Sequence, residues 1–104
     1  MNAPEGPRWI RLAHELRAAG HEATFKVNSF PADTSYMGGA RYSIEFPAGE
    51  VRVCIHDKRA RDAWAGWQVH TEGIKDGLVK RNWPTTKKRD VVIAAVREAV
   101  SLAP

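Results

Sequence analysis

Lys80, Arg81, Lys87, Lys88 and Arg89 all fall in residues 80–89, and no acidic residue lies between Asp76 and Asp90. These five cations exceed the whole chain's net charge of +4, so the remainder is slightly acidic. A neutral body with one basic stretch suits a local contact with a polyanion better than a long wrapped one. The apolar period of the residues that follow predicts a helix over 86–102, which puts Lys87, Lys88 and Arg89 in its first turn. The free N–H groups and the macrodipole already make that end positive, so each cation there costs a few tenths to about 1 kcal/mol. A bound phosphate reverses the sign, held by N–H groups, the Thr85 and Thr86 hydroxyls and the cations together. Trp83, next to the run, adds a ring able to stack on a base. The expectation is a non-enzymatic nucleic-acid-binding module. It would contact RNA or DNA phosphates through Lys80, Arg81, Trp83, Thr86, Lys87, Lys88 and Arg89. The plainer alternative is a set of solvated surface cations whose cost is screened away.

Other constellations are weaker. Cys54 and His56 are two apart on one expected strand and so face the same way, with His70 on another. Such a set can seed a zinc site, but no C-x-x-C or H-x-x-x-H spacing supports one, and neither a metal nor any other cofactor is expected. A Cys54–His56 nucleophile pair is disfavoured, because same-face neighbours on a strand are about 7 Å apart and no glycine-rich elbow accompanies them. His70 with Glu72 is a common pairing that does not by itself indicate acid–base catalysis. The chain lacks a phosphate-binding G-x-x-x-x-G-K or G-x-G-x-x-G motif and an acidic metal cluster, so it is not expected to be an enzyme. Of the four tryptophans, Trp9 belongs to a helical core stripe. Trp64, Trp67 and Trp83 either cover a sheet edge or serve as stacking and interface anchors.

These residues need elements to hold them. Residues 1–7, with two prolines and a glycine, form a mobile lead-in. Residues 8–19 form a helix whose stripe is Trp9, Leu12, Ala13, Leu16 and Ala19. Arg8, Arg11, His14 and Glu15 lie on its other side, and Gly20 caps its C-terminus. A period of two over 23–27, 41–46 and 51–55 predicts three strands, the last two joined by a turn at Pro47, Ala48 and Gly49. Residues 29–40 form a long loop carrying Tyr36 and Met37. Residues 57–65 are ambiguous, with a short helical turn capped by Asp57 as one option. Strands at 67–71 and 78–83 precede the last helix.

The resulting fold class is α+β: an antiparallel sheet of four to five strands with an N-terminal and a C-terminal helix packed on one face. Its open face would carry Thr24, Lys26, Arg41, Ser43, Glu45, Arg52, Cys54 and His56. This order, with T-K-K-R at 86–89 leading into Ala94 and Ala95, resembles the double-stranded RNA-binding domain. The resemblance implies that Lys87 and Lys88 contact phosphates across a major groove while Arg11, His14 and Glu15 approach a minor groove. The chain departs from that family in the long interval between its third strand and last helix, and in having Phe30-Pro31 where the family has a Pro-His contact. A looser similarity, in the excess of arginine over lysine, the abundant alanine and the G-W-Q-V strand before T-K-K-R-D-V-V, is to small accessory proteins of actinobacteria and their phages. That similarity implies a host- or genome-interacting role.

At 104 residues the chain has room for one domain, and its 43% hydrophobic and 27% charged content is that of a globular protein. Its single cysteine excludes an internal disulfide. No apolar run reaches the roughly 20 residues that span a bilayer, and residues 1–7 lack a signal-peptide core, so a cytoplasmic protein is expected. The alternative function is an accessory protein acting by protein–protein contact, or as a homodimer, through the open sheet face and the 29–40 loop.

Overall fold

The computed structural model describes residues 5–27, 42–60 and 63–104. The chain begins with helix α1 (Glu5–Ala18), which starts before Arg8 and takes Pro7 into its first turn. Four residues of its expected stripe, Trp9, Leu12, Ala13 and Leu16, are buried and face inward, whereas the fifth, Ala19, lies beyond the end of the helix and is exposed. The helix ends as expected at Gly20, whose φ of 98° lets its N–H reach Arg17 O at 3.0 Å and lets His21 N–H reach Leu16 O at 3.1 Å. These paired bonds satisfy carbonyls that the helix end would otherwise leave open.

Five strands follow: β1 (Thr24–Val27), β2 (Tyr42–Ala48), β3 (Val51–Ala60), β4 (Ala63–Gly73) and β5 (Val79–Asn82), before helix α2 (Arg89–Leu102). They form one antiparallel sheet in the order β1-β2-β3-β4-β5, the α+β architecture expected. Among the described residues no helix is long and apolar enough to cross a membrane.

The turn between β2 and β3 differs from the one expected. Ala48 pairs with Val51, so Pro47 and Ala48 lie in the strand and only residues 49–50 turn. Pro47 is tolerated because β1 pairs with β2 only as far as Glu45, which leaves β2 an edge beyond that point. A helical turn at Asp57 does not form. Instead β3 and β4 pair from Val51↔Gly73 to Ala60↔Ala63, with an irregularity between Lys58 and Arg59, and Asp57 is buried on the helix side. The expected loop at 29–40 lies outside the described residues.

Alternation assigns the two faces. Ile44 and Phe46, Val53 and Ile55, and Trp67 and Val69 point to the helices and form one core with Trp9, Leu12, Leu16, Val92, Val96 and Ala99. Helix α1 packs on β1 and β2, and α2 on β3 and β4. Trp9 ties the two halves together, its ring lying 6.4 Å from Phe25, 6.0 Å from Tyr42 and 6.3 Å from Trp67. The other face, with Ser43, Glu45, Arg52, Cys54 and His56, is left uncovered by either helix, and the register adds Gln68, His70 and Glu72 to it.

The start of α2 is the main local correction. It begins at Arg89, with Lys88 at the N-cap position making no side-chain cap. Thr86 N donates to Trp67 O at 2.9 Å and Trp67 N to Thr86 O at 2.8 Å, a two-bond bridge to β4 that keeps Thr86 and Lys87 out of the helix. The Thr86 hydroxyl serves a local turn instead, accepting from Lys88 N–H at 3.0 Å.

Candidate functional site

Gly66 is what lets the bridge form. Its φ is 132°, and a Cβ there would lie 2.5 Å from the Thr86 carbonyl oxygen, so any side chain would push the 86–87 segment off the sheet. With the segment seated, Lys87 and the first turn of α2 come to rest opposite the outer side of α1.

Between them runs a groove of about 1100 Å³. Helix α1 contributes Arg8, Arg11 and Glu15, three and four residues apart and therefore on one stripe. Helix α2 contributes Arg89, Asp90, Ile93 and Arg97, and β4 contributes Trp64 and Trp67. Among the described residues, five cations, Lys87 included, thus face two carboxylates. Arg8 lies over the Trp64 ring at 5.0 Å, and Trp64 meets Trp67 edge-on with ring centres 5.0 Å apart. Arg89 Nη2 reaches across to Glu15 Oε1 at 3.4 Å, both side chains being about 40% exposed, so that bridge is screened and easily exchanged for another anion. The indole N–H groups of Trp64 and Trp67 are buried without an acceptor among the described residues.

The seven residues expected to form one basic site are divided over three surfaces. Lys87 and Arg89 line the groove. Trp83, Thr86 and Lys88 line a second hollow, of about 600 Å³, on another side of α2. There the Trp83 indole donates to Glu98, and Gln68 Nε2 donates to the Trp83 carbonyl at 3.2 Å, so Trp83 is held as a packing residue. Lys80 and Arg81 border a third hollow beside Ala99 and Leu102, at the far end of α2 and about 20 Å from its start at 1.5 Å per residue. Lys80 is engaged there by Asp76 at 2.7 Å. That contact, with the Leu78 N–H, holds the exposed Asp76 carboxyl below its usual range. Sequence reading placed Arg8 and Arg11 on the outer side of the first helix but gave no role to Arg97. The signal available was helical spacing, at 8, 11 and 15 and at 89, 93 and 97.

The uncovered sheet face holds a separate polar cluster. Arg52 Nη1 donates to Glu72 Oε1 at 2.8 Å, and His70 Nε2 lies 3.3 Å from Glu72 Oε2. Burial raises the Glu72 carboxyl, but the His70 and Arg52 contacts outweigh it and hold the group below its ordinary value. The His56 ring stands edge-on to His70 with centres 4.9 Å apart. Burial, then His70 and Lys58, push His56 down to about 4, which leaves it neutral near pH 7. No protein-family model matches the chain, nor does any curated protein or solved structure.

Proposed function

We propose that this chain is a small non-enzymatic nucleic-acid-binding module whose phosphate-contacting surface is the groove between α1 and the start of α2. One observation carries the reading. Among the described residues, Arg8, Arg11, Lys87, Arg89 and Arg97, drawn from three parts of the chain, line a single groove with Glu15 and Asp90 as its carboxylates. Folding this many like charges onto one surface is unfavourable in the free protein and becomes favourable when phosphates replace the missing counter-charge. Arg supplies four of the five cations, and its planar fork grips phosphate through two parallel N–H bonds. The groove is not an enclosed cavity, which suits a phosphate backbone better than a sequestered small molecule. Lys80 and Arg81 are not part of this surface and contribute only at long range.

The test is binding of labelled duplex RNA, duplex DNA and single strands at two salt concentrations. The reading expects affinity that falls with salt and falls further in an Arg11→Glu/Lys87→Glu variant. A flat salt response, or unchanged binding by that variant, overturns it.

A further inference from the structure

The sheet face opposite the helices holds a second chemistry-bearing group. Cys54 on β3 stands directly opposite His70 on β4, and Glu72, two residues on, shares their face opposite Arg52. Partners in such positions have Cβ atoms about 4.5–5.5 Å apart. The Cys54 sulfur, a His70 ring nitrogen and a Glu72 oxygen all lie within 4.8 Å of one another. We propose that Cys54, His70 and Glu72 bind one zinc ion on the sheet face that neither helix covers, with a water completing its coordination.

The geometry suits that ion. Zinc takes nitrogen and oxygen ligands at about 2.0–2.2 Å in a tetrahedron, whose edge is about 1.6 bond lengths, so an N···O edge is about 3.3 Å. His70 Nε2 and Glu72 Oε2 are 3.3 Å apart. With a Zn–S bond of about 2.3 Å the sulfur edges are about 3.6 Å, so the thiolate closes the remaining gap by a modest turn of its side chain. One thiolate and one carboxylate balance the charge of a divalent ion, and a soft sulfur beside imidazole selects zinc over magnesium or calcium.

Arg52 completes the design from outside. Its guanidinium holds Glu72 Oε1 at 2.8 Å, which leaves Oε2 turned to His70. Arg52 is therefore a positioning residue for the carboxylate, the kind of outer contact that fixes a metal ligand's orientation. The site sits across the sheet from the groove, and its failure would leave the nucleic-acid reading intact.

Titration of the reduced full chain with cobalt(II), then zinc(II), tests the proposal. One equivalent of cobalt should give visible bands of four-coordinate intensity and a thiolate-to-cobalt charge-transfer band in the near ultraviolet, both removed by zinc. Cys54→Ser should abolish the charge-transfer band, and Cys54→Ser and His70→Gln should each weaken zinc by about a hundredfold or more. Arg52→Met should weaken zinc roughly ten- to hundredfold while keeping the spectrum. Glu72→Gln lies at a part-exposed position and should keep the fold, so circular dichroism separates its expected loss of zinc affinity from unfolding. His21→Gln, on the helix side of the sheet against Phe46, should leave the cobalt spectrum and zinc affinity unchanged. Absence of the cobalt bands, a charge-transfer band that survives Cys54→Ser, or zinc affinity unaltered by Glu72→Gln overturns the proposal.

Discussion

The groove charge can be perturbed in both directions, and the two should move binding oppositely. Among the described residues five cations face two carboxylates, which gives about three phosphates neutralised. On duplex nucleic acid that gives a slope of log affinity against log salt of about −2.7, or an affinity drop of about 40-fold for a fourfold rise in salt. Arg11→Ala removes one contact, bringing the slope to about −1.8 and the drop to about 12-fold. Glu15→Gln does the reverse. It frees Arg89, now held at 3.4 Å by that carboxylate, and should tighten binding at low salt while steepening the slope to about −3.6. Fluorescence anisotropy of a labelled duplex across a salt series measures all three slopes on proteins of the same fold. If Glu15→Gln weakens binding, or if the slope is indifferent to Arg11→Ala, the groove is not where the phosphates sit and the reasoning fails.

Gly66→Ala should displace the 86–87 segment, costing about 1–3 kcal/mol in urea unfolding and lowering nucleic-acid affinity, because its new Cβ meets the Thr86 carbonyl. Gly20→Ala meets no atom within 4 Å, so only the left-handed backbone penalty of about 1–2 kcal/mol applies, read from a thermal melt. Ile55→Ala, fully buried in the core, should cost about 2–5 kcal/mol in chemical denaturation. In the same assay Arg52→Ala, across the sheet and part-exposed, should move the unfolding midpoint far less than Ile55→Ala does.

The fold was legible where local period and tertiary burial agree. The Trp9–Leu12–Leu16 stripe, the alternation through Ile44, Val53 and Ile55, and Gly20 as a cap all report short-range chemistry that the packed core reinforces. The start of α2 was not legible, because Thr85 and Thr86 look locally like helix caps while Thr86 is committed to a backbone bridge with Trp67, 19 residues earlier in the chain. Residues 57–65 were ambiguous for the same reason: Asp57 is a good local cap, but pairing with Trp67 between β3 and β4 decides its conformation. The site divides similarly. Lys87 and Arg89 stood out as part of a charge run. Arg97 did not, since only the packing of both helices on one face brings it beside Arg8 and Arg11. Lys80 and Arg81 stood out for the same reason as Lys87, yet adjacency in sequence carried them to the opposite end of α2.

The placement of α2 has a consequence for how the protein is made. Each strand of the meander pairs with the one synthesised just before it, so the sheet can assemble as the chain emerges. Val92, Ala95, Val96 and Ala99, which seal β3 and β4, are on a helix made after all five strands. Until α2 arrives, Val53, Ile55, Trp67 and Val69 present an apolar face to the crowded surroundings of the ribosome. The interval between translating β5 and docking α2 is therefore the period in which this protein is most exposed to aggregation and to capture by chaperones.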